Sequence, residues 1–354
     1  MESILDLPGA YEHLSPEQRQ RFDSLFSFSL DTGRLVVPEA MRPWATQQFG
    51  SYEKLEEQAI LRVTNKVSLE GALFNRLRAE RPMQRGAPVD RGELLATAAK
   101  EPFADVMRNT PEDTFGRIRG KHETTASNVA KSDALHGVVV FDNADPLAFT
   151  EEETVSHFNT ALAWIGAAHL HHRDAVWPAI GWNCLWKAAA SLVHGHLQVL
   201  LAKEPYAAML ANRRNAEEYE RKFGKGYWDE LFNVHKELGL GAKKEGVKCF
   251  SHLTPKKEKE VLLISDAADE RLFGAIFRVL AALRDDLGVE SFNLAMLLPP
   301  LGGAWPKFPV VTRIVDRGSL ATRTGDLAFI ELYLGDAVIA SDPVKVWEAV
   351  KRRL

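Results

Sequence analysis

Cysteine is scarce in this chain. Only Cys184 and Cys249 occur in 354 residues, and they do not form a Cys-x-x-Cys pair. That excludes a zinc site legible from spacing; a single disulfide between the two stays open as the alternative, and two buried free thiols are the expectation. A dominant charge is also missing. Lys and Arg number 44 against 48 Asp and Glu, a net charge of −4, so there is no broad basic field for nucleic acid. The mixed-sign run Lys256-Lys257-Glu258-Lys259-Glu260 reads as a solvated face. No apolar run is long enough to cross a membrane, and the stretch Leu294 to Leu301 is interrupted by Pro299 and Pro300. The first residues, with Glu2, Asp6 and Glu12, lack the basic-then-apolar order of a signal peptide, so a cytoplasmic setting is expected. What remains, at 45% hydrophobic and 26% charged, is globular, with length for two domains or one duplicated domain.

The most informative stretch runs from Asn183 to Ala202. Its end reads as a strand in which Val193, Leu197, Val199 and Leu201 alternate with His194, His196 and Gln198. Period two places both histidines and the glutamine on one face, above an apolar opposite face. The small residues Ala188 to Ser191 just before them let backbone approach a bulky ligand closely. A neutral imidazole is a nucleophile near pH 7, and a carbonyl within His-Gly-His can fix its tautomer by accepting from the other ring nitrogen. Gln198 can donate to a phosphate oxygen without titrating; unlike a third histidine, an amide cannot protonate a leaving group. The pattern therefore points to nucleophilic phosphoryl chemistry.

The flanking chain alternates elements. Phe28 to Pro43 reads as a hairpin turning at Asp31-Thr32-Gly33. Ser51 to Gln84 carries amphipathic stretches, helical or mixed, with Leu55, Leu61 and Leu69 among the candidate buried positions. A β-branched run, His136 to Phe141, predicts a buried strand preceded by Asn128. Thr150-x-x-Glu153 is a capping box opening a helix through Leu170, at whose end His169, His171 and His172 sit exposed. After Ala202, helices fill Tyr206 to Glu237. A strand at Glu260 to Ser265, a helix at Glu270 to Asp286 and a strand at Ser291 to Leu298 then repeat the order found between Val138 and Gln198. Phe308 to Gly318 reads as a strand with Arg313 and Arg317 on one face, and Gly325 to Leu332 as another strand containing Glu331.

Asn183, Ser191, His194, His196 and Gln198 match the Asn-x7-Ser-x2-His-x-His-x-Gln spacing of the galactose-1-phosphate uridylyltransferases. The chain thus resembles that branch of the histidine-triad nucleotidyltransferase superfamily, which also holds the diadenosine tetraphosphate phosphorylases. The resemblance implies an α+β, HIT-like fold of two tandem histidine-triad-type halves with antiparallel sheets, the second degenerate. Residues 1–205 would form the catalytic half and 206–354 a structural, substrate-contacting half. It implies His196 as the nucleophile that becomes nucleotidylated, phosphate contacts from Gln198 and Ser191, and a supporting or metal-side role for His194. Nucleotide contacts fall to Asn128, Asn183 and the Arg42 of Arg42-Pro43-Trp44, and Glu331 matches a glutamate that helps hold the hexose phosphate, often across a dimer interface. A nucleotide sugar and a sugar phosphate are the implied partners, in a chain that is allowed to be a homodimer and that binds neither nucleic acid nor membrane.

The departures are as informative. The family's Cys-x-x-Cys and its partner histidine are absent, since Asp142-Asn143-Ala144-Asp145 follows the Val138 strand, so no metal residues are assigned and zinc is doubtful. Asn293-Leu-Ala-Met-Leu-Leu stands where the family often places metal-binding histidines, and no glutamine follows Gln198. The expectation is transfer of UMP between UDP-hexose and hexose 1-phosphate through a nucleotidyl-histidine. The alternatives are a phosphorylase of diadenosine tetraphosphate or of a nucleotide sugar, carrying AMP, and a non-catalytic nucleotide-binding protein.

Overall fold

The run of valines at Val138 to Val140 forms the second strand of a large antiparallel sheet and lies buried on both faces. The computed structural model describes residues 1–82, 86–303, 305, 308–322 and 327–354. Within them lie β1 Phe26–Arg34, β2 Glu57–Asn65, β3 Gly71–Phe74, β4 Glu123–Ser127, β5 His136–Phe141, β6 Trp177–Asn183 and β7 His196–Ala202. Then follow β8 Gly241–Lys244, β9 Val247–Ser251, β10 Val261–Ser265, β11 Phe292–Leu297, β12 Val310–Asp316 and β13 Asp336–Ile339. The nine-stranded sheet has the order β4-β5-β7-β6-β11-β12-β10-β9-β8. Read outwards from the β6–β11 junction, that order is nearly a palindrome. β4-β5-helix-β6-β7 and β9-β10-helix-β11-β12 are the same arrangement, joined edge to edge with Asn183 opposite Asn293.

Each arrangement lays its helix across the same face of the sheet. The first, Glu151–His171, opens on the expected capping box, with the Thr150 and Glu153 side chains each accepting from the other's backbone N–H. Three glutamates in its first turn complement the helix dipole. The second, Glu270–Ala281, is capped by the Asp269 carboxylate. Phe158 and Phe273 stack between the two helices with ring centroids 5.1 Å apart. Trp182 of β6 takes Phe141, Phe149 and Phe292 around its ring. Both cysteines are free and buried. Gly137 has no alternative residue: a Cβ there would stand 2.5 Å from the Trp164 indole. The opposite face of the sheet is left for other purposes.

Three local expectations are corrected. No hairpin turns at Asp31-Thr32-Gly33; β1 runs straight through it and pairs with β2 from Phe26↔Asn65 to Arg34↔Glu57. The continuous ladder satisfies far more backbone groups than a tight turn between short arms, and Gly33 makes room for Ile60. Leu55 and Leu61 are buried, but Leu69 is 76% exposed, because the Asn65 side chain caps the turn after β2 and swings Leu69 out at φ 60°. Around Glu331 there is no strand among the described residues. Gly325 and Asp326 lie outside the described residues, and Ile330–Leu334 is a helical turn, with the Leu332 N–H donating to the Ala328 carbonyl. Gly335, at φ 78°, ends it, and the strand comes afterwards as β13, parallel to β3. Among the described residues no helix is long and apolar enough to cross a membrane.

Candidate active site

The strand carrying the histidines starts later than its alternation suggests, at His196 rather than Val193. The physical reason is visible in the hydrogen bonds. The N–H groups of Val193 and His194 donate to the two carboxylate oxygens of Glu101, each at 2.8 Å, so they are not available to a strand neighbour. The chain reaches this point through a strained loop. Leu185 sits at φ 65°, ψ 175° and Ala189 at φ 66°, ψ 23°, regions that a residue with a Cβ seldom occupies. The Ala188 and Ala190 N–H groups both donate to the Leu185 carbonyl, and the Asn293 amide donates to the Ala188 carbonyl, so the surroundings hold the loop in place.

His196 is buried, and its Nδ1 lies 2.8 Å from the His194 carbonyl. That carbonyl is the tautomer-fixing acceptor expected from His-Gly-His. Nδ1 therefore carries the proton and Nε2 the lone pair, with no hydrogen bond to Nε2 among the described residues. Burial holds the His196 pKa below the usual histidine range, against the His194 carbonyl, which favours the charged form. The ring is neutral at pH 7. His194 directs its own Nε2 at the Phe141 carbonyl, 2.8 Å away, and its Nδ1 is buried with no partner among the described residues. Phe141 is clamped in turn. Its ring stacks on His157 at 3.8 Å, and Gly195 must be glycine because a Cβ would stand 2.5 Å from that ring. The His157 Nδ1 lies 2.6 Å from Glu123, a fully buried carboxylate that also accepts from the Ser156 and Thr160 hydroxyls.

Gln198 faces the same way as His196, and opposite it on β5 is Val138. His136 shares that face of β5, and burial lowers its pKa while Gln198 acts in the opposite direction. The Asn128 amide lies 3.0 Å from the His136 Nε2, so Asn128, His136 and Gln198 form one cluster beside the nucleophile strand. Asn183 lies across the junction: the Asn293 amide donates to its Oδ1 at 2.7 Å, and Arg317 donates to the Asn293 Oδ1. Arg317 and Lys187 border a cavity of about 530 Å³, together with Lys256, Lys257 and Glu331. Glu331 thus lines the same cavity as a lysine of the motif stretch. Ser191 is exposed in the approach loop. Arg42 opens the helix Arg42–Phe49 with its guanidinium 4.9 Å above the Tyr52 ring. Among the described residues no group of three or more His, Cys, Asp or Glu side chains is placed to hold a metal ion.

Four contributors escaped the sequence reading: Glu101, Phe103, His136 and Asn293. The Phe103 ring stands 5.1 Å from the His196 ring and 6.0 Å from the His194 ring. Glu101 lies 92 residues before Val193, and no local pattern marks such a contact. Asn293 was legible in principle, as the pseudo-symmetric counterpart of Asn183.

No protein-family model matches this chain, and no curated protein matches it in sequence. Solved structures do. The fold is similar to that of an ADP-glucose phosphorylase from Arabidopsis thaliana with bound ADP-glucose, at 14% identity over 80% of this chain and 96% of that one, with a TM-score of 0.61. It is similar to an Arabidopsis thaliana GalT-like protein, at 12% identity over 82% and 98% of the chains, TM-score 0.60. A uridylyltransferase follows at 15% identity, 83% and 98% coverage, TM-score 0.56. The expected α+β, uridylyltransferase-type fold is present, and at these identities the likeness is one of fold.

Proposed function

We propose that this protein is a nucleotidyltransferase that works through a nucleotidyl-His196 intermediate. The observation that carries the reading is the His196 ring itself: buried, neutral and held at Nδ1 by the His194 carbonyl, so that Nε2 keeps the lone pair. The Nε2 lone pair attacks the α-phosphorus of a nucleoside diphosphate sugar, and the bond from that phosphorus to the bridging oxygen breaks, releasing the sugar 1-phosphate. The positive charge left on the nucleotidylated ring is met by the His194 carbonyl at Nδ1. A phosphate leaving group, with a second pKa near 6, departs as an anion and needs no proton. That suits an amide at Gln198 where an acid would be superfluous. An acceptor phosphate oxygen then attacks the same phosphorus and the P–N bond breaks, restoring neutral His196. In this reading Ser191 and Gln198 meet charge on the phosphoryl oxygens, joined by the Val193 and His194 N–H groups once Glu101 has left them. The Asn128–His136–Gln198 cluster faces the nucleoside, and the lysine-lined cavity reaching Glu331 takes the sugar phosphate.

Exchange of UMP between UDP-hexose and hexose 1-phosphate is the first reading, since the motif spacing is that of the uridylyltransferases. Adenylyl transfer is the second, supported by the ADP-glucose-bound phosphorylase of similar fold. The deciding measurement is intact-protein mass after incubation with UDP-glucose, ADP-glucose or diadenosine tetraphosphate. A uridylyl adduct absent from His196→Asn is the expected result, and an adenylyl adduct moves the protein to the second reading. Folded protein that takes no adduct from any donor would refute nucleotidyl transfer and leave a nucleotide-binding protein without catalysis.

A further inference from the structure

The site face of β4, β5 and β7 is not bare. Ala126, Val138 and Val140 form a small apolar cluster, separate from the main core, and Phe103 and Val106 are packed against it. Phe103 also meets the rings of His194 and His196 edge-on. Two residues earlier, the Glu101 carboxylate spans the consecutive N–H groups of Val193 and His194, one oxygen to each. Successive N–H groups aimed at one point form an anion-binding nest. A single short segment thus places an aromatic ring on an apolar floor beside the nucleophile and an anion on the nest, which are the two chemical features of a nucleotide.

We propose that the segment from Glu101 to Val106 is an internal nucleotide mimic that keeps the site closed, and that a nucleotide must displace it to reach His196. The proposal rests on the nucleotidyl-transfer reading only for the identity of the displacing ligand. The segment is built to leave. Ala104 and Asp105 are exposed, as are Met107, Arg108 and Asn109 just beyond, Met107 by 71%, so lifting the segment breaks the two Glu101 hydrogen bonds and uncovers Phe103 and Val106 without opening the main core. Its ends are fixed, at Ala98, which is buried, and at Thr110, whose carbonyl accepts from the Arg117 guanidinium. The closed state lowers the apparent affinity for nucleotide by the fraction of molecules that are open. The carboxylate also shields the nest from adventitious anions.

The test uses the full-length protein and two probes. Diethyl pyrocarbonate reacts with neutral imidazole, and peptide mapping reads His196 separately from the exposed His171, which serves as the internal control. Binding of UMP and of AMP is measured by calorimetry. Glu101→Ala is expected to speed modification of His196 by about tenfold, the effect of removing a charge-assisted closure, and to tighten UMP or AMP binding. Glu101→Gln, which keeps one acceptor oxygen, should fall between it and wild type, and Phe103→Ala should act in the same direction. Should Glu101→Ala not fold, Glu101→Gln carries the same prediction. Unchanged or slower modification of His196 in folded variants would overturn the closure, and opened variants that bind neither UMP nor AMP would overturn the mimicry. Faster modification without any nucleotidyl adduct would leave the closure standing and remove the transferase reading instead.

Discussion

The carboxylate of Glu123 offers the sharpest test of how the site is supported. It is fully buried and accepts from the Ser156 hydroxyl at 2.9 Å, from His157 Nδ1 at 2.6 Å and from the Thr160 hydroxyl at 2.6 Å. Burial pushes its pKa up, but the bonds from His157 and Thr160, the His157 charge and the bond from Ser156 outweigh burial and hold it below the usual carboxylate range. Glu123→Ala leaves those donors buried and unpaired. Hydrogen bonds to a charged group are each worth about 1.5–3 kcal/mol, yet they are not additive, and breaking one side of a buried charged cluster costs about 3–5 kcal/mol. For a chain of this length that corresponds to a fall in Tm of roughly 4–7 °C. Scanning calorimetry at pH 7, with urea midpoints alongside, reads it. Glu123→Gln keeps the volume and one acceptor oxygen and should lose less. Because the folded pKa is depressed, the stabilisation is fully present above the unfolded carboxylate value of about 4.3 and is lost as pH falls through the folded one. The gap between wild type and Glu123→Ala should therefore hold from pH 7 to about pH 5 and narrow below. A loss of less than about 1 kcal/mol, or a gap that widens on acidification, would refute the reasoning. His157 stacks on Phe141 and the Phe141 carbonyl orients His194, so the same variant should also slow adduct formation at His196.

Two further outcomes follow from the charges. The His196 pKa lies below the ordinary histidine value because the ring is buried, so the reactive neutral form persists on acidification. The rate of single-turnover adduct formation should stay flat from pH 8 to about pH 6.5, and a rate that halves across that range would contradict the burial argument. Arg313 is held between Glu70 and Glu260. Although burial pushes the Glu70 carboxyl up, Arg313, His252 and Lys256 outweigh it and bring its pKa to about 2. Arg313→Ala should cost about 3–5 kcal/mol by urea unfolding at pH 7, whereas an Arg313→Met, Glu70→Leu, Glu260→Leu variant should recover most of that loss; equal losses would show that the arginine acts through packing alone.

What was legible in the sequence was local. The Thr150 capping box, the valine run of β5 and the paired helices between Tyr206 and Glu237 follow from short-range preferences, and each formed where expected. The repeated strand–helix–strand order was also readable, and the sheet carries that order on either side of the β6–β11 pairing. The His-x-His-x-Gln alternation put His196 and Gln198 on one face because a strand has period two. What failed needed knowledge of partners. Asp31-Thr32-Gly33 has turn composition but lies in a long ladder supplied by β2. The stretch around Glu331 alternates like a strand, yet β3 is paired instead by the four residues that follow it. Glu101 shows nothing locally of its hold on Val193 and His194, since that hold exists only once β7 and the loop before it are in place.

The smaller sheet, β1-β2-β3-β13, has a consequence for how the protein is made. Its last strand, Asp336–Ile339, pairs with Gly71–Phe74, and just beyond it Asp342 accepts from the Ser3 hydroxyl and the Ile4 N–H. These contacts span most of the chain, and closing so long a loop comes late in folding. During synthesis the first three strands of this sheet must wait with an open edge until Asp336–Ile339, more than 260 residues after β3, has left the ribosome. A chaperone that covers an unpaired strand edge would find its client in that interval, and truncation before Asp336 would expose the β3 edge to the neighbouring chains of a polysome.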